Sequence, residues 1–155
     1  MSPPSPDLTP EQKREVLDLW NNHPGMRHLG ATVQITDTGD ILATIDPIQD
    51  FHRGGLGTDA VNGAVIAGVF DMVIGLTGFL HVVGRRAGVA QLNVHFLRPV
   101  HGSRLEVLGR PKRLGRTLVF VESELRDGQG QLCATCDGIL AVSGGYSAPV
   151  DQVAL

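Results

Sequence analysis

The chain has 155 residues, a length that suits one domain and leaves little room for a second. Its 42% hydrophobic and 19% charged residues are ordinary for a globular protein and exclude a largely disordered chain. With 13 Lys and Arg against 16 Asp and Glu, the formal net charge of −3 argues against a general nucleic-acid binder.

The N-terminal segment, residues 1–8, is rich in Pro and Ser and lacks the apolar core and basic lead of a signal peptide. We expect it to be a disordered tail. Thr9, followed by Pro10 and by Gln12 three residues on, forms a capping box that predicts a leading helix over residues 9–21. The helix is expected to end before Pro24.

The rest of the chain alternates strand signals with one long apolar run. Two strand-like runs joined by a turn predict a hairpin, a Gly-rich loop and a long helix follow, and four more strands form a meander. These segments are residues 30–35, 40–45, 48–59, 61–82, 88–98, 103–112, 116–126 and 131–143. Their order predicts an α+β fold in which one long antiparallel sheet curls around a central apolar helix. The single domain spans residues 9–145, with a C-terminal tail over 146–155.

Cys133 and Cys136 form a lone C-x-x-C pair on a predicted strand. A metal site needs about four ligands and no second pair exists, so we expect no metal site here. The two residues are predicted to be buried thiols. This fits a reducing compartment, and we expect a cytoplasmic protein.

The apolar run 61–82 has two competing interpretations. It approaches the length of a membrane span, but Asp71 stands near its midpoint, where a carboxylate is costly. A helix enclosed by its own sheet also needs apolar residues on most sides, and this is the favoured interpretation. No membrane partner is expected.

Asp71 is the most informative residue of the sequence. A lone carboxylate inside an apolar helix must be hydrogen-bonded, paired with a charge or shifted toward its neutral form. Two roles remain open: a structural Asp at an interface, or a partly desolvated carboxylate that acts as general base or nucleophile.

The start of the same helix supplies a second group. Asn62, Gly63 and Ala64 follow the Gly-rich loop, so unpaired N–H groups and the helix dipole can polarise a carbonyl there. Gly63 and Asp71 are eight residues apart, about 12 Å along a helix, which is too far for one small carbonyl to contact both. The chemistry therefore suggests a dimer with composite sites.

Four segments together resemble the hotdog-fold thioesterases of the phenylacetate-pathway, PaaI-like type. They are VNGAVIAGVFDMVIG (61–75), NVHFLRPV (93–100), LGRTLVFVESEL (114–125) and DGQGQLCATCDGIL (127–140). The helix signature of that family is His-Gly-Gly followed, nine residues after the His, by Asp or Glu. Asn62, Gly63, Ala64 and Asp71 occupy those places in this chain.

The resemblance implies a hotdog fold and hydrolysis of acyl-CoA thioesters with small, medium or aryl acyl groups, without a metal or redox cofactor. Gly63 N–H polarises the thioester carbonyl, Asn62 stands at the signature His position, and Asp71 of the neighbouring protomer activates water or attacks directly. A homodimer that pairs into a dimer of dimers is expected. The substrate-binding residues are expected to be Ala64, His52, Thr58, Gln91 and Arg116, with Arg85, Arg86, Lys112 and Arg113 as further candidates for the CoA phosphates.

Departures from the family pattern, above all Asn62 in place of the signature His and Leu56 in place of a polar residue, keep an alternative open. Leu56 stands where relatives usually carry Asn, and Val89 replaces a hydroxyl residue on the strand after the helix. The alternative function is a non-catalytic acyl-CoA-binding hotdog domain. A hotdog hydratase or dehydratase is disfavoured, because the apolar helix offers no His before His81.

Overall fold

The computed structural model describes residues 8–82 and 85–143. The predicted tails therefore lie outside the described residues, except for Leu8, which is 9% exposed and belongs to the core. Three helices, a short 3-10 turn and eight strands make up the described chain. They are α1 (Pro10–Asn22), α2 (Pro24–Leu29), β1 (Thr32–Ile35), β2 (Ile41–Ile45), the 3-10 turn (Asp50–His52), β3 (Arg53–Gly55), β4 (Ala60–Val61), α3 (Gly63–Phe79), β5 (Ala87–Phe96), β6 (Leu105–Leu114), β7 (Leu118–Asp127) and β8 (Leu132–Val142).

Helix α1 begins with the predicted capping box. Thr9 N donates to Gln12 Oε1 at 2.9 Å, and Gln12 N donates to Thr9 Oγ1 at 3.2 Å. The helix ends before Pro24 as expected, but a second short helix, α2, follows that the sequence did not predict. His23 caps it by accepting a hydrogen bond from Gly25 N at 3.0 Å, and Gly30 ends it in the left-handed conformation with φ 63°.

Six strands form one antiparallel sheet in the order β1-β2-β6-β7-β8-β5, and α3 packs against one face of it. This confirms the predicted antiparallel sheet around an apolar helix. The predicted four-stranded meander is wrong in one respect, because β5 pairs with β8 at the far edge and not with β6. The strand pattern and the turn residues predict where each strand lies along the chain. They do not predict which strand pairs with which, so they did not show that the eight residues 97–104 connect two strands that are not neighbours in the sheet.

Helix α3 approaches the sheet closely because glycines face it. A methyl group at Gly138 would lie 2.5 Å from Ile74 Cγ2, and one at Gly109 would lie 2.5 Å from Val73 Cγ1. The helix is shorter than the predicted 61–82 run, since it starts at Gly63 and stops at Phe79. None of the helices in the described part of the chain is long and apolar enough to cross a membrane.

The two edges of the sheet differ. At the β1 edge, the side-chain amide of Asn21 takes the place of a further strand: Nδ2 donates to Val33 O at 3.0 Å, and Oδ1 accepts from Val33 N at 2.8 Å. At the other edge, β5 runs for ten residues and has β8 as its single strand neighbour within residues 8–82 and 85–143. One edge is therefore closed by α1, and the other offers a long row of backbone hydrogen-bonding groups.

Candidate active site

Asp71 lies in the middle of α3 and is half-buried. No hydrogen bond or ion pair of its carboxyl group is found within the described residues. Burial raises the pKa of Asp71 above its ordinary value of 3.8, because the charged form loses solvent. The pKa of the Cys136 thiol is raised to about 11, mainly by burial, with smaller contributions that include the negative charge of Asp71. Asp71 is therefore a partly desolvated carboxylate beside the inner face of β8.

The start of α3 is capped by its own Asn62. The side-chain Oδ1 atom of Asn62 accepts a hydrogen bond from Ala64 N at 2.8 Å. The main-chain oxygen of Asn62 accepts from Val65 N at 3.0 Å and from Ile66 N at 3.2 Å. For Gly63 N–H no acceptor exists within the described residues. Gly63 N–H is thus the donor that the first turn leaves available to a ligand.

The Phe96 ring lies beside this donor. A methyl group at Gly63 would be 3.4 Å from Phe96 Cε1, so the absence of a side chain at position 63 keeps the space between helix and ring open. Phe96 is itself 58% exposed. The sequence did not predict that Phe96 lies beside Gly63, since an aromatic residue at the end of a strand does not indicate which residues it contacts.

His52, predicted to bind substrate, has a different place in the structure. Its ring is 1% exposed; Nδ1 accepts from Gln49 N at 2.8 Å, so the protonated Nε2 donates to Leu29 O at 2.7 Å. Its carbonyl oxygen accepts from Asn62 N at 2.7 Å. Both ring nitrogens are thus used by the fold. His52 ties the end of α2 and the Gly-rich loop to the cap of α3 instead of offering a ring nitrogen to a ligand.

The remaining predicted binding residues are spread over three places. Thr58 is exposed but shapes the loop, because its Oγ1 donates to Gly55 O at 2.8 Å and accepts from Ala60 N at 3.2 Å. Ala64 is exposed in the first turn of α3, next to Gly63. Arg116 is exposed in the turn between β6 and β7, at one end of the sheet. In one protomer, only Ala64 adjoins the start of α3 directly.

Gln91 lies on the face of the sheet opposite α3. A β-bulge between Val89 and Gln91 shifts the alternation of β5, so that Leu92 and Val94 pack against the core while Gln91 and Asn93 are exposed. Gln91 lines an open groove of about 350 Å³ on that outer face. Gln91 and Asp71 of the same protomer therefore lie on opposite sides of the sheet.

Leu56 is a conformational outlier. Its φ of 57° lies in the left-handed region, which a branched apolar residue rarely adopts, and its side chain is 82% exposed. Four of the large apolar side chains that are exposed in the described chain lie on segments next to the start of α3: Phe51, Leu56, Phe96 and Leu97. Such a concentration is typical of a surface that contacts a partner or an apolar ligand.

Within the part of the chain that the structure describes, no group of three or more His, Cys, Asp or Glu residues is arranged to hold a metal ion. Both cysteines are buried free thiols, as the sequence predicted. The site consists of one carboxylate and one backbone donor on the same helix.

Comparison with known proteins identifies the family that the chain resembles. Residues 59–134, which include the capped start of α3 and Asp71, match the model of the thioesterase superfamily. The match covers 76 of the 155 residues, and over this part the chain is similar to that superfamily. A curated relative from Thermoplasma acidophilum, named as an esterase candidate, is 25% identical over 113 residues, which cover 73% of this chain and 83% of the relative.

Solved structures confirm the hotdog fold of this chain. A Shewanella oneidensis protein related to the thioesterase superfamily superposes with a TM-score of 0.77 at 24% identity, covering 86% of this chain and 96% of that one. Escherichia coli PaaI, from the phenylacetic acid degradation operon, gives 0.74 at 18%, with coverages of 88% and 94%. A Bacillus halodurans protein solved with CoA gives 0.68 at 18%, with coverages of 91% and 99%. At these identities the likeness shows the fold alone.

Proposed function

We propose that the protein hydrolyses acyl-CoA thioesters with small, medium or aryl acyl groups to the free acid and CoA. The match to the thioesterase superfamily and the similarity to a curated esterase candidate support thioester hydrolysis as the general activity. The CoA bound to the Bacillus halodurans neighbour supports a CoA ester, and the operon of the PaaI neighbour agrees with an aryl acyl group. The observation that carries the proposal is the pair of unpartnered groups on α3, Asp71 carboxylate and Gly63 N–H.

The two groups have complementary tasks. Gly63 N–H donates to the thioester oxygen and stabilises the negative charge that grows there during attack. Asp71 takes a proton from water, whose oxygen forms the new bond to the carbonyl carbon; the C–S bond then breaks, and the proton passes to the CoA thiolate. Direct attack by the carboxylate, followed by hydrolysis of the anhydride, uses the same two groups. The raised pKa of Asp71 makes it a stronger base than an exposed Asp.

A second copy of the chain completes the site. Within one α3 the two groups are about 12 Å apart, so one thioester cannot contact both. The unpaired β5 edge and the exposed apolar residues next to the start of α3 support a homodimer in which the two β5 strands pair antiparallel. Gly63 of one protomer then works with Asp71 of the other. The dimer of dimers that the family resemblance implies adds a second contact without changing this site.

Thiol release from a panel of acyl-CoA esters tests the activity. We expect Asp71→Asn to lose at least about a hundredfold in turnover, the loss typical of a general base. Asp18→Asn, an equal change on the exposed side of α1, is the control and is expected to keep full activity. Tight binding of acyl-CoA by the wild type without thiol release would instead support the non-catalytic domain. The apolar Leu56 and Val89 would then account for the missing chemistry.

Mixing two inactive variants tests the composite site. Gly63→Pro removes the N–H at a helix position where proline is well tolerated, whereas Gly63→Ala keeps the N–H and serves as its control. Co-expressed Gly63→Pro and Asp71→Asn chains are expected to regain about a quarter of wild-type activity, because random pairing makes half of the dimers mixed and each mixed dimer holds one intact site. If both groups acted within one protomer, the mixture would stay inactive.

A further inference from the structure

The ring of His52 connects two segments that are far apart in the chain. It is buried; its Nδ1 atom accepts from Gln49 N at 2.8 Å, and its Nε2 atom donates to Leu29 O at 2.7 Å. Gly30, which ends α2 with φ 63°, leaves room for this contact, because a methyl group there would lie 3.1 Å from Nε2. The ring therefore fixes the 3-10 turn against the end of α2.

The main chain of His52 holds the entry to α3. His52 O accepts from Asn62 N at 2.7 Å, and one residue earlier Val61 N donates to Val100 O at 3.0 Å. The other hydrogen bonds of Asn62 join its Oδ1 atom and its main-chain oxygen to N–H groups of α3 itself. Among the residues described, the His52 carbonyl is thus the one group outside the helix to which the N-cap of α3 is bonded.

Gly63 N–H shares a peptide plane with the carbonyl group of Asn62. This peptide bond is trans, so its N–H and C=O groups point in opposite directions. Asn62 O points into the helix, where it accepts from Val65 N and Ile66 N, and Gly63 N–H therefore points out of the helix start. The direction of this donor depends on the orientation of Asn62, because a rotation of the plane moves both groups.

A tie from outside the helix matters at this place because the first turn of a helix frays most easily. Without the bond from Asn62 N to His52 O, Asn62 and the peptide plane of Gly63 are free to rotate together. A donor to the thioester oxygen needs exact alignment, since a displacement of about 1 Å can cost about a hundredfold in rate. A residue that fixes this plane therefore affects the rate without contacting the substrate.

We propose that His52 is a positioning residue, which holds Gly63 N–H in the direction that stabilises the thioester oxygen; this inference rests on the proposed function. The bonds that carry the effect run from Leu29 through His52 to Asn62 within one chain. His52 therefore serves the site to which its own chain contributes Gly63, and not the site to which that chain contributes Asp71. The short helix α2 supplies the fixed acceptor that keeps the ring in place.

A substitution that removes the ring hydrogen bonds tests the effect on the rate. His52→Leu keeps an apolar side chain in the buried position. We expect its kcat for an acyl-CoA to be at least about tenfold below that of the wild type and its KM to change less than about twofold, because the donor acts on the transition state. His28→Leu, at an exposed histidine of α2, is the control and is expected to keep the wild-type kcat. A wild-type kcat in His52→Leu would overturn the proposal.

Mixed dimers show which of the two reacting groups His52 serves. Co-expressed with Asp71→Asn, the His52→Leu chain is expected to regain about a quarter of wild-type activity, because half of the dimers are mixed and each of these holds one intact site. Co-expressed with Gly63→Pro, it is expected to stay at or below its own activity, since no site then has an intact donor. A merely structural role would give no such difference between the two mixtures. Activity regained with Gly63→Pro, or equal results in both mixtures, would contradict the proposal.

His52→Asn, which keeps an acceptor for Gln49 N, is tested in the same two mixtures, so that the result does not depend on the folding of the Leu variant. It gives up the bond to Leu29 O, and we expect the same pattern with a smaller loss of kcat.

A measurement without substrate separates this proposal from the proposed function. The residual dipolar coupling of a backbone N–H group reports its direction in the folded protein. In both His52 variants we expect the coupling of Gly63 to change while those of residues 69–74, in the middle of α3, stay as in the wild type. If no thioester is hydrolysed, or if Gly63→Pro and Asp71→Asn do not complement each other, but the Gly63 coupling changes, the proposed activity or the composite site is wrong and the role of His52 stands. An unchanged Gly63 coupling would show that His52 does not position this donor.

Discussion

The hydrogen bond from Ala64 N to Asn62 Oδ1, 2.8 Å long, determines which donor the start of α3 offers to a ligand. The side chain of Asn62 accepts from the Ala64 N–H, and the main-chain oxygen of Asn62 accepts from the N–H groups of Val65 and Ile66. Gly63 N–H alone in this turn has no acceptor among the residues described. Asn62 is therefore a helix cap, and under the proposed function it acts on the reaction only through the donor that it leaves open.

Substitutions at Asn62 separate capping from catalysis. Asn62→Ala is expected to lower stability by about 1 kcal/mol, the usual cost of losing such a cap, and Tm by about 2–4 °C. Asn62→Asp keeps the cap, and its carboxylate interacts favourably with the positive end of the helix dipole. The same negative charge repels the negative charge that forms on the thioester oxygen. We therefore expect Asn62→Asp to have the Tm of the wild type and a kcat at least about tenfold below that of the wild type. Wild-type kcat in Asn62→Asp would show that the oxygen binds elsewhere.

Neutralising Asp71 is expected to stabilise the fold at neutral pH. Burial raises the pKa of Asp71 in the folded state above its value of 3.8, so the folded protein binds the proton more tightly than the unfolded chain does. The stabilisation is then complete below pH 3.8 and is lost as the pH rises through the folded-state pKa. Asp71→Asn should have a higher Tm than the wild type at pH 7, and the difference should vanish below pH 3.8.

Thermal denaturation of both proteins across this pH range measures the effect, with Asp18→Asn as a control that shows no such difference. The kcat/KM of the wild type should fall toward acid pH with a midpoint above 3.8, since the carboxylate form is the active one. A lower Tm of Asp71→Asn at neutral pH would instead indicate a structural carboxylate with a partner, the other role that the sequence left open.

The sequence predicted those features that depend on local chemistry. The capping box at Thr9, the hairpin between β1 and β2, and the buried thiols follow from neighbouring residues, and the structure agrees. The pairing of β5 with β8 depends on contacts far apart in the chain, which no local pattern encodes. The hydrogen bonds of His52 could not be predicted for a related reason: a histidine in a Gly-rich loop resembles a ligand-binding residue until its two main-chain partners, Gln49 and Leu29, are known.

Gly138 is expected to be essential for the approach of α3 to the sheet. A methyl group there would lie 2.5 Å from Cγ2 and 2.9 Å from Cγ1 of the fully buried Ile74. Gly138→Ala should therefore cost about 1–3 kcal/mol of unfolding free energy, the usual effect of overpacking. Gly128→Ala, whose new methyl would meet only ordinary contacts with Arg104, is the control. If Gly138→Ala matched this control in urea denaturation, the helix would lie farther from β8 than the structure shows.

Asn21 is expected to protect the β1 edge of the sheet. Its amide makes two hydrogen bonds to the backbone of Val33, which is 5% exposed, so Asn21→Ala leaves a buried donor and acceptor without partners. We expect a loss of about 1–3 kcal/mol and a greater tendency to aggregate through the exposed edge. Asn22→Ala, at the next and exposed position, removes only surface hydrogen bonds to Asp18 and Arg27 and should cost less than about 0.5 kcal/mol.

Urea denaturation measures the free energies of unfolding of the two variants, and light scattering during thermal unfolding compares their aggregation. Equal effects of the two substitutions would mean that the hydrogen bonds of Asn21 do not protect the β1 edge. The difference between a closed β1 edge and an open β5 edge would then no longer support the proposed dimer.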